Sequence, residues 1–162
     1  MLYQWSVFFH ILIAMFWIGG MLFTVAILVP ATRRELARHR AKLFTVLGTR
    51  FSRLTWILFP LLILTGVLAL SGRGYPLEEL ISADFWLTPY GSTLMHKLIL
   101  FAGVLIISGI HDFWLGPKAA HMMDTDPENP YTQKIRKASS WAGRVNLLLG
   151  VFIVFFAVSL VR

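Results

Sequence analysis

Apolar residues gather into four long runs along this chain, near residues 7–29, 54–70, 98–110 and 145–161, and the charged residues are concentrated in the segments between them. These runs lack the polar stripe of a surface helix and the alternation of a half-buried strand, so the pattern predicts helices with apolar surroundings on every side. At about 1.5 Å of rise per residue, the first run crosses a hydrocarbon layer of about 30 Å with some tilt. Pro30 is expected to end it. The second contains Pro60, expected to kink the helix near mid-membrane, where neighbouring helices satisfy the freed carbonyl. Thr88 and Pro89 have the form of an N-cap and first helical position, and Asn129 followed by Pro130 starts the fourth helix well before its apolar part. The expected fold class is all-α, an integral membrane four-helix bundle forming one domain over residues 1–162, with spans at about 5–29, 53–71, 90–114 and 141–161. Leu36, Leu43, Phe44, Leu47, Phe51 and Leu54 fall near one helical face. That stripe predicts a cytoplasmic amphipathic extension of the second span, about 34–52, lying against lipid.

Composition agrees with the pattern. The chain has 162 residues, 57% of them hydrophobic, and a mean hydropathy of +0.69. A soluble domain is about 45–50% apolar, so the lipid bilayer is the expected partner and no length remains for a soluble catalytic domain. The absence of cysteine excludes disulfides, thiolate metal sites and covalent c-type haem attachment, which leaves His, Met or oxygen ligands for any metal. The net charge of +7 does not point to nucleic acid, because its basic residues flank apolar runs. Arg33, Arg34, Arg38, Arg40, Lys42, Arg50 and Arg53 stand against Glu35 alone in the first connection, which is therefore expected in the cytoplasm. Arg73 stands against Glu78, Glu79 and Asp84 in the second, expected outside together with both termini. The N-terminus lacks a basic n-region and a cleavage site, so the first run is read as a retained span. A bacterial inner membrane is the expected location.

His10, His96 and His111 lie in or at the edge of apolar runs, whereas His39 and His121 fall in polar connections. An imidazole in hydrocarbon gives up its hydrogen bonds to water and needs a metal, a cofactor or another polar group. With Trp5 and Tyr90 as markers of the outer aromatic belt, His10 and His96 lie at depths of about 8 and 9 Å. The matched depth points to a cofactor or metal shared between the first and third spans, with His10 and His96 as ligands. The alternative is that each ring bonds to a polar group on a neighbouring helix. Ala14, Trp17 and Met21 share the His10 face; Leu100, Gly103 and Ile107 share the His96 face. Gly19, Gly20 and Gly103 allow close approach of a backbone or a flat ring. Lys97 either snorkels outward or pairs with an acidic cofactor group such as a propionate. His111 lies about 22 Å further along the third helix and reads with Asp112 as an interfacial polar pair. The stretch "HMMDTDPEN" offers soft and hard ligands but lacks an EF-hand glycine, and reads as a solvated loop.

The segments "FHILIAMFWIGGMLFTVAILVP", "RFSRLTWILFPLLILTGVL" and "YGSTLMHKLILFAGVLIISGIH" resemble the membrane domain of the copper-resistance protein D family, and also HemJ-type protoporphyrinogen oxidases. The last span, "GRVNLLLGVFIVFF", resembles the final HemJ helix. The resemblance implies a four-helix membrane protein that binds b-type haem and oxidises a porphyrinogen. It places His10, Trp17, Gly20, His96 and Lys97 on motif positions. The sequence departs from that motif at "PATRR" and after Asn146, where no proline follows.

These readings give one leading expectation and two alternatives. The leading one is a membrane-embedded haem b protein, an oxidoreductase with His10 and His96 as axial ligands and Lys97, Trp17, Gly20 and Gly103 around the cofactor. Its chemistry would be electron transfer or oxidation, with a quinone or porphyrinogen as membrane-soluble reductant. The first alternative is a copper-binding or copper-transporting protein using His10, His96 and Met21 or Met95. The second is a structural membrane subunit without cofactor. A homo-oligomer is compatible with all three.

Overall fold

Each apolar run forms a helix because hydrocarbon leaves backbone N–H and C=O groups no partner but each other. The computed structural model describes residues 1–33 and 37–160. Helix α1 (Leu2–Phe23) passes through a π turn (Thr24–Leu28) into α2 (Val29–Ala31), and α3 covers Arg40–Gly72. The short α4 (Ala83–Leu87) precedes α5 (Pro89–Ile110), which passes through a second π turn (His111–Leu115) into α6 (Gly116–Thr125). The last helix, α7, is Pro130–Ser159. No strand occurs among the described residues, and four helical stretches are long and apolar enough to cross a membrane. The protein is an all-α integral membrane bundle. Thr88 Oγ1 accepts from the Gly91 N–H and Asn129 Oδ1 from the Tyr131 N–H, so both caps form where the sequence places them.

Prolines act differently from the sequence expectation. The first helix runs past Pro30 to Ala31, the third continues to Thr125, and Pro60 sits inside an unbroken α3. Both π turns end directly before a residue–proline pair, Val29–Pro30 and Gly116–Pro117. Proline offers no N–H and collides with the carbonyl four residues back. At each site the preceding residue donates five residues back instead of four, Val29 to Thr24 and Gly116 to His111, and the wider turn lets the helix continue through the proline. A Cβ at residue 116 would lie 3.1 Å from the His111 carbonyl oxygen, so glycine suits that turn.

The spans pack as two antiparallel pairs, α1 with α3 and α5 with α7, joined where α1 meets α7. Glycines set the closest approaches. The Phe51 ring occupies the space where Gly20 would carry a side chain, and a Cβ at Gly150 would meet Met21 Cε at 3.4 Å. Phe51 of the amphipathic stripe therefore packs against the first span, while Leu36 of the same stripe lies outside the described residues. Phe59, 1% exposed, is the hub of the core: its ring meets Trp17, Trp56 and Phe101 edge-on at centroid distances of 5.5, 5.6 and 5.6 Å. Edge-to-face geometry of this kind adds to the dispersion gained by filling the space between helices.

Polar contacts clamp both ends of the bundle. Where the termini meet, Arg73 donates through Nε to Tyr3 Oη (3.0 Å) and through Nη1 to the Leu160 carbonyl (2.8 Å). At the opposite end Asp112 Oδ2 accepts from Ser52 Oγ (2.7 Å) and Trp56 Nε1 (3.0 Å), and Oδ1 accepts from His111 Nδ1 (2.7 Å). The other ring nitrogen of His111 accepts from Ser139 Oγ (3.1 Å), which links α3, the second π turn and α7. His111 and Asp112 do form the polar pair that the sequence suggests, and they form it as part of a network.

Replacing Phe59 by alanine is expected to lower stability by about 3 kcal/mol, whereas Phe155→Ala, at a side chain 64% exposed, changes it little. Thermal unfolding in detergent measures both. Asp112→Ala strands three donors and is expected to cost about 2–3 kcal/mol, more than Ser52→Ala, which removes one donor from a carboxylate that keeps two.

Candidate functional site

The end of the bundle nearer the termini holds His10, His96 and Lys97. His10 projects from α1 toward α3, where its Nδ1 lies 2.9 Å from Thr65 Oγ1. The Thr65 hydroxyl donates its hydrogen to the Leu61 carbonyl at 2.7 Å, so toward His10 it acts as acceptor. His10 Nδ1 therefore carries the proton, and the lone pair is left on Nε2. Gly66 makes room for this ring: a Cβ there would lie 3.3 Å from His10 Cε1. A fixed Nδ1–H and a free Nε2 is the arrangement by which proteins orient a histidine toward a metal.

His96 shows the same tautomer in a different setting. Its Nδ1 lies 2.7 Å from the Ser92 carbonyl, which only accepts, and its ring stacks on Phe156 of α7 at 5.4 Å between centroids. It is exposed at the bundle surface. The two imidazoles lie against different helices, His10 on α3 and His96 on α7. The structure does not bring them together as a facing pair.

Lys97 is the charged residue of α5 that reaches His10 electrostatically. It stands about 100° round the helix from His96, and that rotation separates a half-buried ammonium from an exposed ring. No hydrogen bond or ion pair of Lys97 occurs among the described residues. A half-buried ammonium costs free energy unless a negative charge balances it.

The other residues singled out in the sequence serve packing. Trp17 closes against Phe59, Gly20 admits the Phe51 ring, and a Cβ at Gly103 would meet Leu149 at an ordinary 3.6 Å. Met21 is buried beside Gly150, eleven residues and about 16 Å along α1 from His10, too far to share a ligand with it. Among the described residues no three of His, Cys, Asp and Glu gather where they could hold a metal ion. Sequence reasoning missed Thr65 and Gly66, which hold and admit the His10 ring. The available signal was a hydroxyl followed by glycine inside an apolar run, opposite His10 in an antiparallel hairpin. Between α3 and α5 the connecting segment forms a hollow of about 490 Å³, lined among others by Tyr75, Glu79, Asp84, Phe85 and Tyr90; neither imidazole reaches it.

Comparison with known proteins fits this architecture. The copper resistance protein D family profile matches residues 45–160, which include the second, third and fourth spans. An uncharacterized protein of Aquifex aeolicus (strain VF5) is 31% identical over 152 residues, 93% of this chain and 90% of that protein. No solved structure gives a significant match. With four membrane-crossing helices and a profile match over most of its length, the chain belongs to the copper resistance protein D family.

Proposed function

We propose that the protein is a membrane-embedded haem protein in which His10 would supply a ligand nitrogen and Lys97 a cationic partner for a haem propionate. The observation that carries the reading is the juxtaposition of an imidazole lone pair with an ammonium, neither of which has a partner among the described residues. A bare metal cation at His10 would be repelled by that ammonium, and the repulsion is weakly screened in a low-dielectric setting. A metal bound within a dianionic porphyrin, with carboxylates at its edge, turns the same ammonium into an attraction.

The chain's own residues orient and tune the site. Thr65 holds the His10 ring through Nδ1–H, which fixes the direction of Nε2 and raises its basicity. Gly66 leaves space along the ring edge. Haem would supply one-electron redox chemistry, and a quinone or porphyrinogen is the class of reductant that reaches this depth from the bilayer. His96 would serve as a further ligand only after leaving its stack on Phe156. In this reading the arginine-rich connection faces the cytoplasm of a bacterial inner membrane.

The family match favours a second reading, copper handling, with His10 Nε2 as one ligand. Absorption spectroscopy and metal analysis of the purified protein separate the two. The haem reading expects a Soret band that sharpens and shifts on reduction, is abolished in His10→Ala and is weakened in Lys97→Gln. Stoichiometric copper without a Soret band supports the second reading, and Lys97→Gln should then tighten copper binding. Loss of the Soret band in His96→Ala as well would show that the ring leaves Phe156. A colourless, metal-free protein from haem-replete and copper-replete cells would overturn both readings.

A further inference from the structure

One layer of the bundle contains buried polar atoms that protein groups do not satisfy. Thr55 on α3, Ser108 on α5 and Asn146 on α7 are 4%, 5% and 8% exposed. Asn146 Nδ2 donates to Ser108 Oγ at 2.8 Å, whereas Asn146 Oδ1 and Thr55 Oγ1 have no partner. Turning the Asn146 amide over would leave its amino group orphaned instead of its oxygen, so the deficit does not depend on the amide assignment.

Thr55 departs from the behaviour of every other buried threonine. Thr32 and Thr65 bond the carbonyl four residues back, and Thr132 bonds the Asp126 carbonyl. Thr55 could do the same within its own helix and does not. The Ser108 hydroxyl, which accepts from Asn146, likewise donates to no group of the protein. Helix register places Thr55 and Ser108 at one level: Thr55 is about one turn from Ser52, and Ser108 about one turn from Asp112, each in the direction of the core residues Phe59 and Val104. Ser52 and Asp112 are bonded to each other, so Thr55 and Ser108 lie in the next layer inward, and Asn146 is bonded to Ser108.

We propose that this layer holds an ordered internal water, bound by Thr55, Ser108 and Asn146. The water accepts from the Thr55 and Ser108 hydroxyls and donates to Asn146 Oδ1, three bonds, the usual number for a buried water. It links α3 to α7 across the bundle, between the Asp112 network and the Phe59 core. The site is independent of the group proposed at His10.

Thr55→Val keeps the shape and removes the hydroxyl. With a bound water, the substitution takes away one of its partners and lowers Tm by about 2–4 °C. Without one, the substitution relieves a buried orphan and leaves Tm unchanged or raises it. In an Asn146→Leu background, where the water has lost its acceptor, Thr55→Val is expected to have little further effect; full additivity would overturn a shared ligand. Brief X-ray radiolysis of the unaltered protein in detergent gives a readout that does not depend on folding of a variant. Hydroxyl-radical labelling is expected at Phe59 or Val104, which bulk solvent does not reach, and its absence at both would overturn the proposal.

Discussion

A polar side chain in hydrocarbon has no water to fall back on, and that constraint fixes how these four helices are rotated and staggered. Apolar contacts alone do so weakly, because lipid tails are as apolar as leucine side chains. The pairs that decide register are His10 with Thr65 between α1 and α3, and Asn146 with Ser108 and Ser139 with His111 between α5 and α7. Sliding either pair of helices by one turn would strand a donor or acceptor in a medium where each costs several kcal/mol. Glycine contacts follow the same alignment: Gly72 faces Tyr3, Gly66 faces His10 and Gly20 faces Phe51, in an antiparallel order that one slip would destroy.

Within that frame the chain divides its chemistry by depth. The aromatic cluster around Phe59 fills the middle, where no titratable group is found among the buried residues. Toward the termini lie His10 and Lys97. Toward the other end lies Asp112, with three donors on its carboxylate. The two regions are unlike in one respect. Asp112 is satisfied by protein and ties three elements together, as a structural group does. Lys97 makes no hydrogen bond or ion pair among the described residues.

Much of the fold was legible because hydrophobic runs report the bilayer directly, and the caps at Thr88 and Asn129 carry local chemistry that needs no tertiary context. The continuation through Pro30 and Pro117 was not legible, because a proline is normally read as a stop and the π turns that bypass it have no sequence signature of their own. In the site, the direction of each ring was not legible. Counting residues from an aromatic marker gives only an expected height along the membrane normal. Whether a ring faces the bundle or the lipid depends on a rotation of about 100° per residue, set by the partner helix. For that reason His96 and Lys97, adjacent in sequence, differ in exposure.

The tautomers of the three membrane histidines sharpen the functional distinction. Each gives its Nδ1–H to an acceptor: Thr65 for His10, the Ser92 carbonyl for His96, the Asp112 carboxylate for His111. They differ at Nε2. In His111 that lone pair already accepts from Ser139, so the ring is spent on joining helices. In His10 and His96 Nε2 has no hydrogen-bond partner among the described residues, and of the two only His10 turns into the bundle. A structural histidine in lipid gains by bonding at both nitrogens, since an unmet lone pair is a cost without return. Among the described residues, the membrane histidine that combines an inward position, a fixed orientation and an unused lone pair is therefore His10, and packing alone does not account for that combination.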